Sequence, residues 1–299
     1  MSETVQMPRE LLFPVDAFAG EYVRHRDAGE ELLGRSSIVV VGLARNCAPE
    51  LAVNLERLLA LGASAADYRV HVFTNDNEDD TEQVLVDASR HMPLTFTSHR
   101  LGRKQRGGEF AGPRTVELAE YRAACQRWVG ELPTPPDLVV VLDFDMWGGW
   151  SHDGVMHAVG WMLEHDDAYG MASVSMMQFP TTITHSDGRH ETALTWLHYD
   201  AWALRLNSYW DDYRAGCGGW KQMWLPPVGS PPIPVCSAFG GMALYRGWAY
   251  LGGEYGGQDC EHVVFHRTIQ ERHQKRLYLD PSMRTVMHWI TDGGRDCDH

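Results

Sequence analysis

The chain reads as an α/β protein with a mostly parallel central sheet flanked by helices. Three observations carry this reading. The runs Ile38-Val39-Val40-Val41 and Leu138-Val139-Val140-Val141-Leu142 are unbroken by polar residues, as strands buried on both faces are. Helix-period segments alternate with strand-like ones through the first half, the order that builds parallel sheets. The longer aliphatic run ends in Asp143-Phe144-Asp145, which delivers two carboxylates to the rim where open α/β sheets bind ligands.

The elements follow in order. Residues 1–36 mix Pro8, Pro14 and charges with short apolar pieces and form a helical lead-in. After the first strand, Leu51, Leu55, Leu58 and Leu59 recur at helical spacing, with Pro49 in the first turn and Gly62 as the stop. Residues 70–74 make a second strand that runs into the polar turn Asn75-Asp76-Asn77-Glu78-Asp79-Asp80, with a helix from about Thr81. Residues 94–97 are a weaker third strand, and Leu118, Tyr121, Cys125 and Trp128 mark another helix face. In the second half, residues 169–175 read as a strand, and 178–235 as irregular chain rich in Trp, Tyr, Gly and Pro. Residues 237–245 follow as a strand with a glycine break, 259–271 as a helix, and 277–279 and 286–290 as short strands. The expected organisation is one domain over 37–292, its nucleotide-binding half at 37–150 and its acceptor-binding half at 151–292, with a tail at 293–299.

Composition narrows the function. The 299 residues are 44% hydrophobic and 22% charged, as in a soluble globular protein. A net charge of −14 disfavours a broad duplex-DNA footprint, which needs many Lys and Arg. Arg100, Arg103, Lys104, Arg106 and Arg114 still form a local basic stretch, so a nucleic-acid acceptor stays conceivable. The six cysteines contain no CxxC pair, which fits reduced thiols and a cytoplasmic location. No segment resembles a signal peptide or reaches the length of a membrane span.

The candidate chemistry starts at Asp143 and Asp145. Side chains two apart in extended chain point the same way, so both can reach one divalent cation. His288 is a possible nitrogen ligand for Mn²⁺, although a lone His is more often structural. Asp259, after Gly256-Gly257-Gln258, is either a helix N-cap or a general base for an acceptor hydroxyl, with Glu261 and His262 near enough to share that role. Asp76 either starts a helix or accepts hydrogen bonds from a base or ribose. Arg114 and Arg122, eight apart, sit on one helix face and can approach a diphosphate. Trp196, Trp202, Trp210, Trp220 and Trp224 offer stacking platforms for sugars or bases.

Taken in order, these pieces resemble the GT-A glycosyltransferases. The matching segments are Val40-Val41-Gly42-Leu43-Ala44-Arg45-Asn46, Phe73-Thr74-Asn75-Asp76-Asn77, the helix from Arg114 to Arg122, the Asp143-Phe144-Asp145 triplet, Phe239-Gly240-Gly241, Gln258-Asp259-Cys260-Glu261-His262 and His288. The look is that of the capsule-type mannosyltransferase-like group and its bacterial and viral relatives, over roughly residues 37–292. The resemblance implies a hexosyl- or pentosyltransferase that moves a sugar from a UDP- or GDP-sugar to an acceptor hydroxyl on a glycan, small molecule, protein or modified nucleobase. Asp143 and Asp145 then stand for the DxD pair holding Mn²⁺ or Mg²⁺, joined by His288. Ala44, Arg45, Asn46, Asp76, Arg114, Arg122 and Phe144 lie on the donor side. Phe239, Gly240, Gly241 and Trp220 lie on the acceptor side, and Asp259 and Glu261 are the catalytic carboxylates. The pattern departs at Gln258, where inverting members carry Glu, and at Ala123, where Asn is frequent. Inversion and retention both stay open. Two other classes fit parts of the chain. Leu142-Asp143-Phe144-Asp145 resembles the first motif of haloacid-dehalogenase-type phosphatases, but Trp147 stands where Thr or Val is usual. A non-catalytic nucleotide-sugar or glycan-binding module would use the same rim.

Overall fold

The computed structural model describes residues 8–107, 109, 112–206 and 225–289. The α/β architecture expected from the aliphatic runs is what it shows. Among the described residues, ten strands form one sheet whose main path runs β3-β2-β1-β4-β9-β6-β10-β5. They are β1 Ser37–Ala44, β2 Asp67–Asn75, β3 Leu94–His99, β4 Leu138–Asp143, β5 Gly149–Trp150, β6 Ala168–Thr184, β7 His190–His198, β8 Ile233–Val235, β9 Met242–Arg246 and β10 Arg276–His288. Strands β1, β2, β3 and β4 are mutually parallel, β9 is antiparallel to β4 and β6, and β6 is parallel to β10. Most strands therefore point one way. Strand β7 pairs with the far half of β6, and β8 with β10.

The helices are α1 Asp16–Leu33, α2 Ala48–Ala63, α3 Thr81–Ala88, α4 Pro113–Gly130, α5 His152–Glu164, α6 Gly247–Gly252 and α7 Glu261–His273. Alternation along β4 explains how they are layered. Val140 and Leu142 enter one core with Leu51, Leu55 and Leu58 of α2 and Val155 and Val159 of α5. Val139 and Val141 enter the other with Cys125 and Val129 of α4 and Val263, Phe265 and Ile269 of α7. Both faces are covered, which is why β4 carries no polar residue before Asp143. No helix among the described residues is long and apolar enough to cross a membrane.

Two segments differ from the sequence reading. Residues 178–198, read as irregular, continue β6 and return as β7, in register from Met176↔His198 to Thr184↔His190. This hairpin projects past the core, so one face of each strand does not have to be apolar and the alternation that marks a half-buried strand is missing. Residues 276–288, read as two short strands, are one strand with a register shift between Asp280 and Arg284. Pro281 sits in that shift, where a missing N–H costs no ladder bond.

Helix α1 lies against α5 at a glycine crossing. A Cβ on Gly29 would stand 1.8 Å from the Met156 carbonyl oxygen, and one on Gly160 would stand 1.9 Å from that of His25. The backbones touch because neither residue has a side chain. Gly160→Ala is therefore expected to cost roughly 1–3 kcal/mol of stability or more, measured by urea unfolding. A change below about 0.5 kcal/mol would show that the crossing is not tight.

Candidate active site

Topology assembles the site. β1, β2 and β4 are parallel, so their carboxyl ends share a rim, and Asp143 lies beside Leu43 of β1. Strand β9 runs the other way, so the residues before it reach the same rim, and the Asp143 amide donates to the Gly241 carbonyl at 2.8 Å. Gly240 and Gly241 have φ of +70° and +80°, and a Cβ on Gly240 would lie 2.2 Å from the Ser173 carbonyl oxygen. The end of β10 also arrives there, with the Trp147 amide donating to the Met287 carbonyl at 3.0 Å.

The acidic turn is held from beneath. Buried Asn54 of α2 donates to the carbonyls of Phe144, at 3.0 Å, and Met146, at 2.8 Å, on either side of Asp145. The Phe144 ring is fully buried under Gly42, where a Cβ would fall 2.6 Å from it. Asp145 is thereby turned outward and is exposed to the cleft.

Arg122 of α4 is the charge behind the pair. It is 3% exposed, donates from Nη2 to Asp143 Oδ1 at 2.5 Å, and places Nε 3.8 Å from Glu261 Oε1. Its guanidinium lies 5.0 Å from the Phe239 ring centroid, and that ring stacks on His262 at 3.7 Å. Burial pushes the Asp143 carboxyl up, Arg122 pulls it down, and Asp200 pushes it up again. For Asp145, loss of hydration in the cleft and then the Asp143 charge raise the carboxyl. Burial raises Glu261, Arg122 opposes it, and Asp143 adds to the rise. Burial drives His262 far toward the neutral form, and Arg122 adds to this. Arg122 thus pairs with Asp143 and Glu261, Arg114 adds its charge from the same helix, and Asp145 makes no ion pair among the described residues. That lack, together with two hard oxygen donors, fits a divalent cation.

The other expected residues fall as follows. Asp76 (φ +48°) accepts from the amides of Leu101 (2.7 Å), Gly102 (2.8 Å) and Arg103 (3.1 Å). Burial works against its charge, but these amides and the Asn75 side chain hold its carboxyl down at about 2. Asn46 (φ +50°) joins the same loops: its Oδ1 accepts from the Glu78 amide at 2.7 Å and its Nδ2 donates to Gln105 at 2.8 Å. Arg45 donates to the Arg103 and Lys104 carbonyls, and Ala44 is buried. The charge of Arg114 acts on Asp143 and Glu261 together with that of Arg122. Arg114 donates to the Glu109 carbonyl at 3.0 Å and lies over Trp202 at 5.1 Å. Asp259 Oδ1 accepts from Arg205 at 3.2 Å and from the Cys260 amide at 2.7 Å, and lines a cavity of about 450 Å³ with Gln258, Arg267 and Thr268. Glu261 is only 3% exposed and faces Arg122. His288 stands at the rim, 6.1 Å from Trp147 and 6.4 Å from Tyr199 between ring centroids. Among the described residues no three His, Cys, Asp or Glu side chains converge as a metal cluster. Trp220 lies outside the described residues.

Asn54, Asp200 and Arg205 were not foreseen. Asp200 accepts from the Gly240 amide at 2.9 Å and so fixes the glycine turn beside Asp143. None of the three carries a local sequence signal: Asn54 interrupts an apolar helix face, and Asp200 and Arg205 sit in aperiodic chain. The electrostatics around Arg122 can be tested directly. Arg122→Met should cost about 3–5 kcal/mol in urea unfolding, because two buried carboxylates lose their counter-charge. A loss under 1 kcal/mol would contradict the bracing role.

No protein-family model matches the chain, and no curated protein does. Solved structures of similar shape exist. A mannosyltransferase, PcManGT from Pyrobaculum calidifontis in complex with GDP-Man and Mn²⁺, is 15% identical over 90% of this chain and 67% of its own, with a TM-score of 0.46. S. aureus TarS residues 1–349 are 13% identical over 84% and 60%, at 0.45. M. tuberculosis glucosyl-3-phosphoglycerate synthase is 14% identical over 96% and 80%, at 0.46. The chain thus spans three fifths to four fifths of these structures. At this level the likeness is one of general shape, and the function rests on the site itself.

Proposed function

We propose that the chain is a divalent-metal-dependent glycosyltransferase that moves a hexosyl or pentosyl group from a UDP- or GDP-sugar to an acceptor hydroxyl. The observation that supports it most is the Asp143–Asp145 pair at the end of β4, with Asp145 in no ion pair among the described residues, flanked by the loops after β1 and β2. That rim is where α/β sheets receive nucleotides. Asp143 and Asp145, with His288 joining them, would hold Mn²⁺ or Mg²⁺, which supplies charge to stabilise the departing diphosphate.

The protein's own groups do the rest. The loops at Ala44, Arg45, Asn46 and Asp76 shape the nucleoside pocket, with Asp76 ordering the 101–103 backbone beneath it. Phe144 acts from below as a buried support. Arg114 is the cation on the cleft side of α4, while Arg122 holds Asp143 in place. Phe239, Gly240 and Gly241 form the wall between the donor and acceptor sides, and Trp220 belongs to the acceptor side. Asp259, beside its cavity, takes the acceptor proton in an inverting reaction. Its ion pair with Arg205 orients it. Glu261 acts through Arg122 and positions the site.

Donor hydrolysis and transfer should be measured with a panel of sugar nucleotides at limiting Mn²⁺. Asp143→Asn and Asp145→Asn should each lower turnover at least about 100-fold, since charge stabilisation of the leaving group is removed. Unchanged turnover in both variants would defeat the proposal.

A further inference from the structure

A second charged group is buried away from the acidic pair and makes no ion pair among the described residues. Arg284 lies in β10 just after the register shift, and is 1% exposed. Its Nη2 donates to the Pro226 carbonyl. Its Nε and Nη1 have no hydrogen-bond partner, and no carboxylate among the described residues lies within ion-pair distance of it. Asp280 acts on it only at a distance. The Asp280 carboxylate is already engaged, Oδ2 by His157 at 2.8 Å and Oδ1 by the Ser282 amide at 2.8 Å.

Strand register places a second orphan on the same face. Val286 and His198 both stand opposite Met176, from β10 and β7 respectively, and Arg284 is two residues before Val286. His198 is 3% exposed; burial pushes it toward the neutral form, the Asp200 carboxylate opposes this, and the Arg284 charge adds to it. Its Nδ1 lies 3.2 Å from the Ser175 carbonyl oxygen and 3.4 Å from the Ser175 hydroxyl; with the proton on Nδ1 donated to that carbonyl, Nε2 presents a lone pair. Nε2 has no partner. A buried guanidinium with free N–H groups demands an anionic oxygen, and a free imidazole lone pair demands an O–H.

We propose that Arg284 and His198 form a binding site for a small oxyanion that also carries a hydroxyl, either a hydrogen-phosphate group or a hydroxycarboxylate. Burial depresses the Arg284 guanidinium to about 10, which leaves it charged at neutral pH and ready to pair. The chain continues from His198 through Tyr199 to Asp200, which holds the Gly240 turn beside Asp143. A molecule anchored at Arg284 could extend toward the acceptor side of the cleft. That extension alone rests on the transferase reading; the anion site does not.

The test is thermal unfolding and calorimetric titration of the full chain with inorganic phosphate and, separately, glycolate. No donor or metal is added, so failure of the transferase reading leaves the result unaffected. Wild-type protein should gain stability in a saturable way with at least one anion. Response to phosphate alone assigns a phosphate group, and response to glycolate alone a hydroxycarboxylate. Arg284→Met should be more stable than wild type in anion-free buffer, because an unpaired buried charge is removed, and should not respond to either anion. His198→Gln should bind about tenfold more weakly. The site is refuted if neither anion stabilises wild type or if Arg284→Met responds equally. It is also refuted if Arg284→Met is less stable or does not fold, since the guanidinium would then have an internal partner.

Discussion

Arg122 holds together the parts of the site that come from distant segments. It is buried in α4, reaches across to Asp143 at the end of β4, stands beside Glu261 at the start of α7, and lies over Phe239 from the turn before β9. Each carboxylate alone would be costly to bury, and so would the guanidinium. Together they tolerate burial, while loss of hydration still raises the Asp143 and Asp145 carboxyls. The cation of the proposed function would complete this arrangement, whereas a neutral ligand would leave the repulsion between the two aspartates in place.

Strand direction turns this local electrostatics into a shaped cleft. A fully parallel sheet would put the residues before β9 at the opposite rim. Because β9 is antiparallel, Phe239, Gly240 and Gly241 meet Asp143 instead. The two glycines are required by positive φ and by the approach to Ser173, and Asp200 ties their backbone down. On the other side, Asp76 and Asn46 use carboxylate and amide groups to order the loops that follow β2 and β3. The acidic pair therefore sits between one ordered wall from each half of the chain.

The first half of this design was readable from residue order. Aliphatic runs, helix-period leucines and the terminal acidic triplet are local signals, and they located β1, β4, α2 and the rim. The second half was less legible because its order comes from distant partners. The β6–β7 hairpin lacks apolar alternation, and Pro281 hides the continuity of β10 until the register shift is seen. Arg122 was read as a donor-side arginine able to approach a diphosphate; nothing in the sequence also places Glu261 and Asp143 on either side of it. Asn54, pinning the Phe144 and Met146 carbonyls, shows only as a polar break in a helix face. The resemblance to GT-A glycosyltransferases came from the order of the pieces, which local physics alone does not supply.

The central claim is that Asp143 and Asp145 form a cation site completed by a nucleoside diphosphate. Electron paramagnetic resonance of Mn²⁺ tests it without any knowledge of the acceptor. In wild-type protein the free Mn²⁺ signal should fall on titration, and UDP or GDP should make the loss steeper. In Asp145→Asn both effects should vanish, with the fold unchanged by circular dichroism. Equal Mn²⁺ binding in the variant, or indifference to both diphosphates, would contradict the account.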